Sequence, residues 1–428
     1  MLVEFTVENY RSFKERRTFS LLASKDKDLL EENTFSVNDK NRLVKTAVIY
    51  GANAGGKSNL FRALSFFLKF AVTSGPRLQK GDEIGTQPFL FSKQAQDKPS
   101  SFELLFYIQN NDGFPVRYRY GFTADKEHII EEHLYAVNNV REVMLFVRDE
   151  QKIEFNTTAF KEGENVTRGT VRENATFLSE CSQKNGETAG SIILYFRKIS
   201  IITGLSDISA LTRSKIEKGE KLDRIVYFLQ FADIQVLNLR REKFPVNFET
   251  DIKDPVMAEV FRKKFPNMQS EEVYYGHALF DGEKQDGEYF LPEEDESNGT
   301  RKLFSYAGII LSALDNGSVL FIDEFDSSLH PLIVENIVKL FNSSQYNPKN
   351  AQLVVSCQAV NIMTNRLFRR DQIWFCEKDK YGASDLYSLM DIDEPVRKDA
   401  AYNKNYLLGK YGAVPAIDSI RLQMGCKN

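Results

Sequence analysis

Four cysteines in 428 residues, Cys181, Cys357, Cys376 and Cys426, are too few and too scattered for a disulfide framework. With no C-x-x-C pair among them, they outline no zinc site either. Histidine is equally scarce. Of His128, His133, His277 and His330, only the first two lie near each other, in a charged stretch that reads as surface rather than as a ligand pair. No apolar run is long enough to span a bilayer, and the opening MLVEFTVENYRSF alternates like a strand instead of carrying a signal peptide's apolar block. Neither sign of charge dominates. Lys+Arg 56 against Asp+Glu 60 gives −4, which argues against a chain-wide polyanion-binding surface and leaves room only for a local basic groove. No heptad pattern lasts beyond a turn or two, so a long coiled-coil arm is not expected. A reduced, cytoplasmic chain with no membrane segment is the expectation.

What is present is concentrated in two places. Gly51-Ala52-Asn53-Ala54-Gly55-Gly56-Lys57-Ser58 fits G-x-x-x-x-G-K-[ST] at every fixed position. Leu43 to Tyr50 before it reads as a buried strand, and Asn59 to Leu68 after it has helical apolar spacing. Strand, glycine loop and helix form the setting that a Walker A motif requires. Glycines let successive N–H groups turn inward around phosphate oxygens, and the helix N-terminus adds its positive end. The loop through Asn59 is the expected phosphate contact, with Lys57 reaching the β- and γ-phosphates and the Ser58 hydroxyl holding Mg²⁺.

The second place is Val319-Leu-Phe-Ile-Asp323-Glu324, an apolar strand ending in carboxylates. This is a Walker B pattern: Asp323 at the carboxyl edge of the strand binds Mg²⁺ through water, and Glu324 orients or deprotonates the attacking water. ATP and Mg²⁺ are the ligands implied. No N-K-x-D guanine motif stands in a fitting place, since Asn403-Lys-Asn-Tyr lacks the Asp, so ATP is favoured over GTP.

At this length two or three compact units are expected. The strand-rich start is read as an N-terminal lobe over residues 1–125. Residues 126–275 mix strand-like runs with helical spacing, as in Pro255–Lys264 and from 220 to 231, and are read as an inserted, mostly helical subdomain. Residues 276–428 alternate strands and helices as a parallel sheet does, giving a C-terminal lobe. A short acidic run, Pro292 to Ser297, precedes the helical pattern Arg301–Leu314.

Walker A and Walker B lie far apart, the chain opens with Asn9-Tyr-Arg-Ser-Phe13, Glu296-Ser297-Asn298-Gly299-Thr300 precedes Walker B, and Phe325-Asp326-Ser-Ser-Leu-His330-Pro331 follows it. This order resembles the ABC-type heads of SMC, RecF and recombination-repair ATPases. It is similar more specifically to the RloA/AbiL-type AAA-family ATPases of bacterial phage-defence (abortive infection) loci, over residues 1–125 and 290–416. Their C-terminal stretches look like Glu377–Tyr387 and Asn405–Pro415 here. The resemblance implies an α/β P-loop NTPase of ABC/SMC-head type, with a mixed central sheet, an N-terminal antiparallel β-subdomain and the helical insertion. It implies a dimer or higher homo-oligomer closed around nucleotide. Ser297, Gly299 and Thr300 are then the signature that meets the γ-phosphate of the opposing subunit, and Asp326 is the D-loop residue at the seam. Arg11 approaches the phosphate or adenine, and Gln87 stands where a Q-loop contact to the metal belongs, with Gln94 as a rival.

One position departs from the family. Gln358 occupies the place of the switch histidine, and glutamine hydrogen-bonds but neither becomes cationic nor shuttles a proton. Slow turnover is the expectation. The resemblance also implies a separately encoded effector, a nuclease with a toprim-like fold, because no such domain is expected within this length. Two alternatives stay open: a nucleotide-binding scaffold with negligible hydrolysis, and a repair-type head acting directly on DNA through the basic stretches Arg213–Lys221 and Arg240–Lys243.

Overall fold

Strands that are apolar without alternation need cover on both faces, and five of them here line up in parallel. In the computed structural model the order is Ser200–Ile202, Val319–Ile322, Gln352–Ser356, Thr46–Tyr50 and Ile373–Lys378, with Ser384–Ser388 added antiparallel at one edge. The structure describes residues 1–110, 112–138, 141–166, 171–203, 209–217, 222–247, 254–392, 394 and 396–415. Its contacts divide the chain into two units, one of residues 1–204, 313–326 and 337–428, the other of residues 205–312 and 327–336.

In the first unit, strand Gln352–Ser356 lies between the Walker A strand Thr46–Tyr50 and the Walker B strand Val319–Ile322. Three neighbouring carboxyl ends therefore deliver Gly51, Cys357 and Asp323 to one edge, where ligands collect in open α/β sheets. A second sheet is wholly antiparallel, with the order Lys152–Phe155, Arg141–Asp149, Ile129–Asn138, Pro115–Ala124, Ser100–Gln109, Leu2–Glu8 and Arg17–Ser20. The expected mixed α/β fold with an antiparallel β-subdomain is thus what the chain forms.

Helix Lys57–Arg77 packs on both sheets. Phe61 meets Phe321 of the Walker B strand edge-on at 5.4 Å, while Phe67 stacks on Phe122 of the antiparallel sheet at 5.4 Å. Each wholly buried ring contributes roughly 2–3 kcal/mol, so the helix and the loop before it are anchored from two sides. The helix also runs through Gly75-Pro76, a dipeptide that by itself marks a loop. Gly75 allows this by close approach: its N–H donates to Ser179 Oγ at 3.1 Å, and a Cβ there would stand 2.1 Å from Gln183 Nε2.

The single strand expected over Leu43–Tyr50 is two. Arg42–Val44 pairs with Thr34–Ser36, and the core strand begins at Thr46. Lys45 makes the break. Its side chain is buried, with Nζ donating to Glu32 O at 2.7 Å, Asn342 O at 2.8 Å and Ser344 Oγ at 3.2 Å. The two C-terminal stretches meet as well: Ala413 N–H donates to Glu377 at 2.5 Å and Tyr387 OH donates to Tyr411 O at 2.9 Å.

Residues 126–275 are shared between the units. Strands Ile129–Asn138 and Arg141–Asp149 and helices Phe177–Gln183 and Glu187–Lys198 fall in the first. The second holds helices Ser209–Glu217, Leu222–Phe231 and Pro255–Lys264, the antiparallel sheet Asn238–Pro245, Gln269–Asp281 and Lys284–Pro292, and most of helix Asn298–Asn316. Tyr275 against Phe304, edge-on at 5.5 Å, forms part of its core. Among the described residues no helix is long and apolar enough to cross a membrane.

Candidate nucleotide site

The loop between the Walker A strand and its helix turns on positive φ angles at Gly51 (150°), Ala54 (63°) and Gly56 (123°). Its glycines are demanded from beneath too. A Cβ on Gly51 would lie 2.0 Å from the carbonyl oxygen of Cys376, one on Gly55 2.6 Å from the same atom, and one on Gly56 2.2 Å from Ser384 Oγ. Strands Ile373–Lys378 and Ser384–Ser388 thus form the bed of the loop. Ser384 Oγ sits 2.7 Å from Gly55 O and 2.8 Å from Ser12 Oγ, to which Asn59 Nδ2 also donates at 2.8 Å. The Asn9–Phe13 turn is thereby tied to the loop.

Lys57 is nine-tenths buried, and its Nζ donates to Gly51 O at 2.6 Å and Ala52 O at 3.1 Å. Burial pushes its ammonium pKa down, while Cys376 and then the carboxylates of Asp323, Glu324 and Asp326 pull it up. These acids act on Lys57 because the strand order brings the two distant motifs to one sheet edge.

At the Walker B end, Asp323 is buried, whereas Glu324 is exposed and left-handed at φ 49°. The hydroxyl of Ser356 donates to Asp323 Oδ1 at 2.5 Å and accepts the Glu324 N–H at 2.8 Å. Asp326 accepts from the N–H groups of Gln358 (2.8 Å) and Ala359 (2.6 Å), and Gln358 Nε2 donates to Asn53 Oδ1 at 3.0 Å. The sheet edge thus brings together Lys57, Asp323, Glu324, Asp326, Gln358 and Asn53. Ser356 was missed in the sequence, where it reads as a strand end.

Among the described residues no cluster of His, Cys, Asp and Glu could hold a metal by itself. Ser58 and Asp323 are oxygen donors of the kind that would hold Mg²⁺, which takes one or two protein oxygens beside water and phosphate.

Arg11 is left-handed at φ 52° and donates its N–H to Gln87 O at 2.6 Å, so these two residues are neighbours. Among the described residues the buried Arg11 Nε has no hydrogen-bond partner, and its guanidinium lies 5.9 Å from the Tyr10 ring centre. Gln87 itself is exposed.

In the second unit, Ser297 caps helix Asn298–Asn316: its Oγ accepts the Thr300 N–H at 3.1 Å and lies 2.9 Å from Thr300 Oγ1. A Cβ on Gly299 would stand 3.2 Å from Ser328 O. These three residues line a cavity of about 740 Å³ together with His277 and Glu296, which pair at 2.6 Å. The basic stretches are not bare. Arg213 pairs with Glu293 at 2.5 Å, Arg240 with Glu242 at 2.8 Å, Lys243 with Glu271 at 3.7 Å, and Arg241 with Glu271. Lys218 and Lys221 lie outside the described residues.

No curated protein matches the chain. Among solved structures it is similar to the SMC head domain from Thermotoga maritima, at 14% identity, covering 92% of this chain and 99% of that one, with a TM-score of 0.38. Residues 47–357 match the model of the family described as "AAA domain, putative AbiEii toxin, Type IV TA system". That stretch is well over half of the chain and contains both Walker motifs, and the chain belongs to this AAA-domain family.

Proposed function

We propose that the protein binds MgATP at the Gly51–Asn59 loop, hydrolyses it slowly, and uses closure of two copies around nucleotide to control a partner effector in phage defence. The observation that carries the nucleotide reading is the positive-φ glycine loop with the buried Lys57 Nζ on Gly51 O and Ala52 O, at the sheet edge where the Asp323 strand also ends. Lys57 leaves its loop carbonyls for the β- and γ-phosphates. Glu324 is the base that orients and deprotonates water. Ser58 and Asp323 would hold Mg²⁺, which would supply neutralisation of phosphate charge. The motif resemblance supports ABC/SMC-head-type closure, in which Ser297, Gly299 and Thr300 meet the partner copy's γ-phosphate and Asp326 lies at the seam. The same resemblance supports Arg11 at the phosphate or adenine and Gln87, with Gln94 as a rival, at the metal. A toprim-like nuclease as effector also rests on it, while a cytoplasmic setting rests on the scattered cysteines and the lack of a signal-peptide pattern at the start of the sequence. The family's description, which names a toxin and a toxin–antitoxin system, supports control of a partner.

Comparing ATP turnover of wild type and Glu324→Gln tests the reaction. The wild type is expected to turn over slowly and the variant about a hundredfold slower, the range of a lost general base. Equal rates would remove hydrolysis and leave the second reading, ATP as a scaffold. Gln358 favours that reading, since its amide is already bonded to Asn53 and carries no titratable proton. Direct action on DNA loses support from the glutamate-paired arginines; DNA-stimulated turnover that falls steeply with salt would restore it.

A further inference from the structure

We infer that Ser356 is a positioning residue that aims the Walker B carboxylates at the Mg²⁺–nucleotide, an inference that rests on the nucleotide reading above. Ser356 is wholly buried and closes the strand between the two Walker strands. It makes three bonds to three consecutive residues. Its hydroxyl proton goes to Asp323 Oδ1 at 2.5 Å, its oxygen accepts the Glu324 N–H at 2.8 Å, and its carbonyl accepts the Phe325 N–H at 3.0 Å. From the other side, the Asp323 N–H is held by Ile202 O at 2.9 Å.

A hydroxyl has a single proton, so the direction of this relay is fixed. With the proton on the carboxylate, the lone pairs face the Glu324 amide. Asp323 Oδ1 is then held by protein, and Oδ2 would be the oxygen left to hold the metal. The Glu324 amide bond matters for another reason. At φ 49° this non-glycine residue sits in a sparsely populated region that persists only when its surroundings impose it. The Ser356 hydroxyl is one of the groups imposing it, and it thereby sets where the exposed Glu324 side chain starts. A plain strand end would need no hydroxyl here; a metal-and-base turn does.

Nucleotide affinity with and without Mg²⁺, steady-state turnover and melting temperature are to be measured for wild type, Ser356→Ala and Ser356→Thr. In Ser356→Ala, affinity in EDTA is expected to stay within about twofold of wild type, while the tightening added by Mg²⁺ falls about tenfold, as for one charge-assisted hydrogen bond. Turnover falls by a similar factor, and Ser356→Thr, which keeps the hydroxyl, restores both. Wild-type Mg²⁺ dependence and turnover in Ser356→Ala would overturn the inference. So would Ser356→Thr matching Ser356→Ala while both melt like wild type. Failure of the nucleotide reading looks different: the wild type itself would bind no ATP in either condition.

Discussion

Gly51→Ala puts the loop geometry to a severe test. The new methyl carbon would be built 2.0 Å from the carbonyl oxygen of Cys376, where carbon and oxygen normally stay at least about 3.3 Å apart. Cys376 belongs to a strand bonded on both sides, to Thr46–Tyr50 and to Ser384–Ser388, so its carbonyl cannot withdraw without breaking ladders. The φ of 150° adds a conformational penalty that alanine bears and glycine does not. Overpacking of this kind costs about 1–3 kcal/mol, and the backbone strain about 1–3 kcal/mol more. The loop can relieve most of this by opening, which removes the phosphate cradle. At 2 kcal/mol, nucleotide affinity falls roughly thirtyfold. If the strand yields instead, the melting temperature drops by roughly 3 °C for the same energy. Titration with a fluorescent ATP analogue and a thermal melt read both routes. Gly190→Ala is the control: it lies within helix Glu187–Lys198, a Cβ there meets nothing within 4 Å, and the change is expected to be neutral or stabilising by about 0.5–1 kcal/mol. A Gly51→Ala protein with wild-type affinity and melting temperature would refute the reasoning.

Other consequences are open to measurement. Gln358→His, which supplies a titratable group beside Asn53, is expected to raise ATP turnover about tenfold, and an unchanged rate would take this position out of the chemistry. His133 and then Arg119 hold the Glu103 carboxyl at about 2, down from 4.5. Glu103 therefore contributes stability that is complete above about pH 4.5 and lost as pH falls toward 2. Glu103→Gln should flatten that acid limb in urea melts, and an identical limb would contradict the pairing. Lys45→Met leaves two carbonyls and the Ser344 hydroxyl without their buried donor, and is expected to destabilise by roughly 2–4 kcal/mol. An unshifted urea midpoint would show that the lysine is dispensable.

The parts legible in the sequence are those where one local rule suffices. An apolar run ending in Asp323-Glu324 can only be a covered strand with its acids at the edge, and the glycine loop before Lys57 has a single structural setting. The spacing over Arg301–Leu314 announced a helix, which the structure extends to Asn298–Asn316, with Gly317 after it at φ 62°. Features set by distant partners were not legible. Nothing near Lys45 announces that Asn342 and Ser344 wait for its ammonium, so one strand was expected where two form. Gly75-Pro76 reads as loop because the Ser179 hydroxyl that receives the Gly75 N–H is far away in sequence. The support of the P-loop by Cys376 and Ser384, and the clasp of Ser356 on Walker B, are contacts across the sheet. Composition alone made Arg240–Lys243 look basic, although its partner glutamates lie within the same stretch and on the neighbouring strand.

Equilibrium binding of MgATP to wild type and to Lys57→Ala tests the central claim most directly. The buried ammonium should carry two or more charge-assisted bonds to phosphate, so its removal is expected to weaken binding by about a hundredfold. Equal affinity in the two proteins would mean that the Gly51–Ser58 loop is not where the nucleotide binds.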